Sequence, residues 1–217
     1  MADVGGEPML LLLLKRLKGA ERLEHILVAT STHASDDEIE DVARDAGCGA
    51  FRGSLDDVLG RFVAAASGHG GPFTRITADC PLIDPALVDA VVELFDRTPN
   101  CAYANNIEPR TYPDGLDVEL FSREALELAA EIATDPQDRE HVTTVMRRDP
   151  TRFATAALVS DESLGDLRWT VDTEADLDFL RRVVVRLGAR RYTASMGEIL
   201  YAIREDPSLA DYRGHRG

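Results

Sequence analysis

Between Pro8 and Asn105 the chain alternates helical and strand-like stretches, with only short turns between them. Residues 8–18 are apolar almost all round and end at Gly19, which reads as a buried helix with a glycine C-cap. A strand-like run, His25-Ile26-Leu27-Val28-Ala29-Thr30, follows. Ser35-Asp36-Asp37-Glu38 has the pattern of a capping box that opens a second helix closed by Gly47. Ala50-Phe51-Arg52 is a short strand, and Ser54 is placed to cap a third helix that ends in the glycine-rich residues 67–71. Residues 74–79 read as a buried strand, Asp84-Pro85 starts a fourth helix, and residues 100–105 form another strand. Alternation with short connections implies a parallel sheet covered by helices on both faces. The expected fold class is α/β, with a mostly parallel, Rossmann-like sheet.

Beyond Asn105 the pattern changes. Leu116-Asp117-Val118-Glu119-Leu120-Phe121 alternates apolar and acidic residues, as a strand with one wet face does, which predicts an antiparallel edge portion. Ser122 caps a helix through Ala133, and Asp135-Pro136 begins another that contains Arg139-Glu140-His141-Val142-Thr143. Residues 153–159 and 167–171 read as strands. Thr173 to Asp176 opens a helix through Leu187, and Ser195 to Glu198 opens a last one that Pro207 stops. A chain of 217 residues with 44% hydrophobic content can bury one full core, so residues 1–217 are expected to form a single domain. Residues 208–217 are expected to be a frayed tail.

A net charge of -15, with no run of Lys or Arg longer than two, argues against nucleic acid and against an anionic membrane surface as partners. Cys48, Cys80 and Cys101 are widely spaced, without any C-x-x-C, which predicts reduced thiols in a cytoplasmic protein and no zinc site. The apolar run from Met9 to Leu14 is far shorter than the roughly 20 residues a bilayer span takes.

Two acids stand at the carboxyl ends of predicted strands: Asp79 in Thr74-Arg75-Ile76-Thr77-Ala78-Asp79-Cys80-Pro81 and Asp172 in Leu167-Arg168-Trp169-Thr170-Val171-Asp172-Thr173. In an open α/β sheet ligands bind beyond those ends. A pair of carboxylates there suits Mg²⁺, which takes oxygen ligands and is commonly shared with substrate phosphates. The plainer reading makes Asp79 a turn acid and Asp172 part of a helix cap. Cys80 reads as packing rather than as a nucleophile, and Trp169 as core.

Six stretches resemble, in order and spacing, the cytidylyltransferases of the GT-A nucleotidyltransferase fold, in the branch named for spore coat polysaccharide biosynthesis protein F. They begin at Val4-Gly5-Gly6-Glu7-Pro8, Phe51-Arg52-Gly53-Ser54, Arg75-Ile76-Thr77-Ala78-Asp79, Tyr112-Pro113-Asp114-Gly115, Arg139-Glu140-His141 and Leu167-Arg168-Trp169. The resemblance implies a reaction in which a sugar-acid hydroxyl attacks the α-phosphate of CTP and pyrophosphate leaves, for surface glycan synthesis. It implies Asp79 and Asp172 as the Mg²⁺-binding acids and Gly53 and Ser54 as a loop against the base and ribose. Arg61 belongs either to that region or to a surface pair with Asp57 at i,i+4. The turn Tyr112-Pro113-Asp114-Gly115, with Asp117 and Glu119, is expected at the acceptor sugar, with the two acids accepting hydroxyl hydrogen bonds. Glu140 and His141 are adjacent on a helix and face different ways, so one of them is expected to reach the pocket. Relatives also imply a possible homodimer.

The same family carries a strand and a basic loop, R-x-x-S-x-R-L-P-x-K, ahead of the stretch that matches Val4. Here Met1 falls where that loop ends. The expectation is an N-terminally shortened chain, arising from a late start assignment or from an inactive relative, whose own activity depends on restoring the loop. The alternatives are a non-catalytic sugar- or nucleotide-binding subunit and a glycosyltransferase of the same fold, although Asp79-Cys80-Pro81 supplies no D-x-D pair.

Overall fold

The computed structural model describes residues 2–210 and residue 212. Helix α1 (Met9–Leu17) leads into strand β1 (Leu27–Ser31), helix α2 (Asp37–Asp45), strand β2 (Gly49–Gly53) and helix α3 (Val58–Ala66). Strand β3 (Phe73–Arg75), helix α4 (Pro85–Arg97) and strand β4 (Tyr103–Asn105) complete the alternating half. Strand β5 (Glu119–Phe121), helices α5 (Arg123–Ile132), α6 (Pro136–Glu140) and α7 (Thr144–Arg148), and strand β6 (Thr155–Ala157) follow. Helices α8 (Glu174–Leu187), α9 (Met196–Arg204) and α10 (Pro207–Ala210) finish the described chain.

The α/β class holds, but the sheet is smaller and more mixed than the alternation predicts. Strands β1 and β2 pair in parallel as a separate two-stranded sheet, and the other four run in the order β3-β5-β4-β6. Within that sheet β4 and β6 are parallel, while β5 is antiparallel to both β3 and β4. The antiparallel strand is therefore internal, not at an edge. Its apolar and acidic alternation misleads because Glu119 is buried, 4% exposed, and satisfied by protein donors instead of water. The predicted strand at 167–171 reduces to one bridge, Asp114 with Arg168.

Helices cover both faces of the four-stranded sheet. Leu10, Leu13 and Leu14 of α1 and Val88 and Val91 of α4 pack with Ala104 and Leu120. Leu59 of α3, Leu126 of α5 and Met146 of α7 pack on the opposite face with Tyr103 and Phe121. A third cluster joins α8 and α9 to Leu12, Leu116 and Trp169. Part of the expected tail is ordered: α10 buries Leu209, and Tyr212 stacks on Phe179 with ring centroids 4.4 Å apart. Residues 211 and 213–217 lie outside the described residues.

Local signals explain most element starts. Asp84 and Asp135 cap α4 and α6, each followed by proline at the first helical position. Thr173 with Asp176, and Ser195 with Glu198, form reciprocal capping boxes. Two start differently from expectation. Asp57, not Ser54, caps α3, and α2 follows a short 3₁₀ turn at Ala34–Asp36.

One helix position was read only as the end of an apolar run. Arg16 is fully buried in α1 and donates from Nε to the Ile83 carbonyl at 2.7 Å. Its other nitrogens reach the carbonyls of Arg191 and Ala194, each at 2.6 Å. Burial pulls its pKa down to about 10, with Asp84 pushing back, so the guanidinium stays charged at neutral pH. Arg16 thus ties α1 to the start of α4 and to the segment before α9. Arg16→Met would fill much of the volume but leave three carbonyls without donors. We expect it to lower the unfolding free energy in urea by about 3 kcal/mol.

Candidate functional site

The loop after β3 carries Asp79, and the segment before α8 carries Asp172. Their backbones meet directly: Val171 N–H donates to the Asp79 carbonyl at 2.9 Å. A second junction fixes the turn at 112–115 to the same segment. Asp114 N–H donates to Leu167 O at 2.9 Å, and Trp169 N–H donates to Asp114 O at 2.6 Å. Gly115 makes this crossing possible. Its φ is +105°, and a Cβ there would sit 2.6 Å from the Trp169 carbonyl carbon and 2.7 Å from Thr170 N. Its role is close backbone approach, and Tyr112, 9% exposed, packs into the same turn.

The acids come together electrostatically as well. Burial raises the pKa of Asp114, and the negative charges of Asp117 and Asp79 act in the same direction, against Arg110 and Arg168. Arg110 grips Asp117 with two parallel bonds, 2.8 and 2.9 Å, and lies 3.3 Å from Asp114. Arg168 bonds to the exposed Asp172 and, at 2.9 Å, to the fully buried Asp176. Asp176 also accepts from the Thr173 hydroxyl and amide, each at 2.8 Å, from Asp172 N–H at 3.1 Å, and from Tyr212. Burial alone would raise its pKa, but the Tyr212 and Thr173 hydroxyls and the two backbone donors outweigh it and hold the value at about 2. Arg110, Arg168 and Asp176 were not anticipated as site residues. Arg168 and Asp176 each lie four residues from Asp172, so that spacing was the available signal.

No group of three or more His, Cys, Asp or Glu side chains gathers as a metal cage among the described residues. The donors at this edge are carboxylate oxygens. The one thiol nearby, Cys80, is buried and pushed well above its usual range by burial and by Asp79. That hard-oxygen set fits Mg²⁺, which binds one or two carboxylates and completes its sphere from phosphates and water.

A second group of predicted residues lies at the ends of β1 and β2. Gly53 closes β2, and its carbonyl accepts from Thr32 N–H at 3.0 Å. Ser54 is exposed, its hydroxyl accepts from Asp57 N–H at 3.1 Å, and its carbonyl accepts from Arg61. Arg61 does not pair with Asp57 through a hydrogen bond. Asp57 instead receives Nε and Nη2 of Arg139, at 2.9 and 2.7 Å, so the arginine of the Arg139-Glu140-His141 motif anchors the Ser54 loop.

The other members of that motif behave differently from expectation. Glu140 and His141 are both exposed, and neither side chain bonds to the site. Thr143 is the residue that faces inward. It sits beyond a tight turn centred on Val142, a buried β-branched residue at φ +53°, where Thr143 N–H donates to His141 O at 2.5 Å. The Thr143 hydroxyl then donates to Glu119 Oε1 at 2.6 Å. Tyr103 OH donates to the same oxygen at 2.5 Å, and Arg75 bonds to Oε2. Burial and the Glu119 charge together push the Tyr103 hydroxyl far above its usual pKa, so it remains a donor. Glu119 is thus the hub of a buried network and not the solvent-facing acceptor expected from its sequence.

A sequence profile for the family described as Cytidylyltransferase matches residues 1–192. The chain belongs to the cytidylyltransferase family. An uncharacterized Methanocaldococcus jannaschii protein, MJ1063, is 35% identical over 179 residues, covering 81% of this chain and 72% of that one. Bacillus subtilis spore coat polysaccharide biosynthesis protein SpsF is 28% identical over 195 residues, covering 88% and 79%. A cytidylyltransferase structure from Leptospira borgpetersenii superposes with a TM-score of 0.92 at 27% identity, over 99% of this chain and 90% of that one. A CMP:2-keto-3-deoxy-manno-octonic acid synthetase solved with CTP shares the fold, with a TM-score of 0.60 at 16% identity over 85% and 90%. No helix among the described residues of this cytidylyltransferase-family chain is long and apolar enough to cross a membrane.

Two outcomes follow for this site. Gly115→Ala should lower unfolding free energy by about 3 kcal/mol or more, measured in urea, because neither the φ nor the crossing tolerates a Cβ. The Asp176 contribution should be present above pH ~4, its unfolded range, and be lost as pH falls through about 2. The loss of about 2 kcal/mol should show as an acid limb in the wild-type stability profile that Asp176→Asn lacks.

Proposed function

We propose that the chain is a cytidylyltransferase that transfers a nucleotidyl group from CTP to a hydroxyl of a sugar acid and releases pyrophosphate, supplying activated sugar for a surface glycan. The observation that carries this reading is the Val171 to Asp79 backbone bond, which joins two acids from distant segments at one sheet edge. Family membership and the CTP found with a synthetase of the same fold support the choice of nucleotide.

In this reading Asp79 and Asp172 would hold Mg²⁺, which would supply charge neutralisation at the triphosphate for in-line attack on the α-phosphorus. The Gly53 and Ser54 backbone lies against the base and ribose, held in shape by Arg61 and, through Asp57, by Arg139. Arg168, bonded to Asp172, holds that acid in place beside the phosphates. The turn Tyr112 to Gly115 and the Arg110-bound Asp117 border the acceptor sugar. Asp114, a carboxylate made more basic by burial, is the group suited to take the hydroxyl proton. The protein acts in the cytoplasm as a homodimer, with no nucleic-acid or membrane partner.

The test follows pyrophosphate release with each nucleoside triphosphate, Mg²⁺ and a panel of sugar acids. It is run on the chain of 217 residues and on a form carrying an R-x-x-S-x-R-L-P-x-K loop ahead of Met1. CTP-dependent release is expected, falling on the order of 100-fold or more in Asp79→Asn and in Asp172→Asn. No release by either form with any acceptor overturns the reading.

A further inference from the structure

The network around Glu119 leaves donors unused. In β-sheet register Arg75 and Asn105 flank Glu119 from the neighbouring strands β3 and β5's other partner β4, on one face of the sheet. Asn105 is fully buried. Its Oδ1 accepts from the backbone N–H groups of Ile107 and Glu108, at 3.0 and 2.8 Å. Those two donors fix the orientation of the amide, so the atom left over is the NH₂ group, and it has no partner. A buried donor without an acceptor costs about 1–3 kcal/mol, which is tolerated where a ligand supplies the acceptor.

Two cations stand beside it. Arg75 reaches Glu119 through Nη1, and its remaining nitrogens have no partner among the described residues. Arg147 comes from α7, lies 3.4 Å from Glu108, and keeps a buried Nε without a partner. Glu108 is also the residue whose amide caps Asn105, and Arg147 acts electrostatically on Tyr103, so all of these groups surround one spot at the carboxyl ends of β3 and β4. The side chains of Arg75 and Arg147 are 18% and 32% exposed, so both guanidinium groups reach solvent. Two carboxylates border the spot: Glu119, held by Arg75, Tyr103 and Thr143, and the more exposed Glu108, which pairs with Arg147.

Two guanidinium groups beside an unpartnered amide NH₂, with both bordering acids already paired to arginine, call for an anionic group rich in acceptor oxygens. We propose that Arg75, Asn105 and Arg147 form the subsite that takes the carboxylate of the sugar acid. The planar arginine fork matches carboxylate geometry, and Glu119 acts as a positioning residue that aims Arg75. Thr143, delivered by the turn at Val142, steadies Glu119 in that task. This assignment rests on the sugar-acid reading above.

The test measures binding apart from turnover. Side-chain ¹H–¹⁵N signals of Asn105 are followed while the protein is titrated with 2-keto-3-deoxy-octonate, glucuronate and galacturonate, and with the matched alcohols in which the carboxylate is reduced. At least one acid is expected to shift the Asn105 signal, and its alcohol to bind about tenfold or more weakly. Asn105→Asp keeps the acceptor that caps the 107–108 turn but replaces the donor with an oxygen. It should weaken acid binding about tenfold or more, while Arg75→Lys should do so with Glu119 still paired. Neither change should alter the affinity for CTP. Alcohols that bind as well as acids, an Asn105 signal that no acid moves, or acid affinity unchanged in Asn105→Asp would each overturn the subsite, the last pointing to ordered water there. Acid-specific shifts without pyrophosphate release would uphold the subsite and overturn only the transfer reading. Release with acid and neutral acceptors alike would do the reverse.

Discussion

The candidate site depends on one buried carboxylate. Asp176 gathers Arg168, Thr173, Tyr212 and the backbone of residues 172 and 173 around itself. Through Arg168 it sets the position of Asp172, and through the start of α8 it fixes the extended segment from Leu167 to Val171. That segment carries both backbone junctions, one to Asp114 and one to Asp79. Remove the anchor, and two loops and an exposed acid lose their common reference.

The site divides by charge. On one side stand Asp79, Asp114, Asp117 and Asp172, with Arg110 and Arg168 among them. On the other stand the donors of Arg75, Asn105 and Arg147 around a neutralised Glu119. A net charge of -15 would repel an anionic substrate uniformly if charge were spread evenly. Local pairing changes this, because Glu119, Asp114, Asp117 and Asp172 are each paired with an arginine.

Much of this was readable from sequence, and the exceptions share a cause. Helix starts at Asp84, Asp135, Thr173 and Ser195 were legible because capping is local and side-chain specific. The meeting of the Asp79 and Asp172 segments was legible because strand-end acids point to one edge of an α/β sheet. What escaped were interactions whose partners lie far apart in the chain. Glu119 looked wet because Arg75 and Thr143, which make its burial possible, are 44 and 24 residues away. Arg16 looked like the end of an apolar helix because its carbonyl partners lie at Ile83, Arg191 and Ala194. In the motif at 139–143, Glu140 and His141 stay exposed while the turn at Val142 buries Thr143 against Glu119, a contact between residues 24 apart that no local pattern shows.

The bond between Val171 and Asp79 closes a loop of roughly ninety residues. A chain emerging from the ribosome therefore exposes Asp79 long before its partner segment exists. Strands β1 and β2 with α2 and α3 have local partners and can begin to pack early, whereas the acid pair assembles only after α8 has been made. The candidate site is in this sense a late product of synthesis, and shortened or stalled chains would carry part of the frame of the fold without the edge where those acids meet.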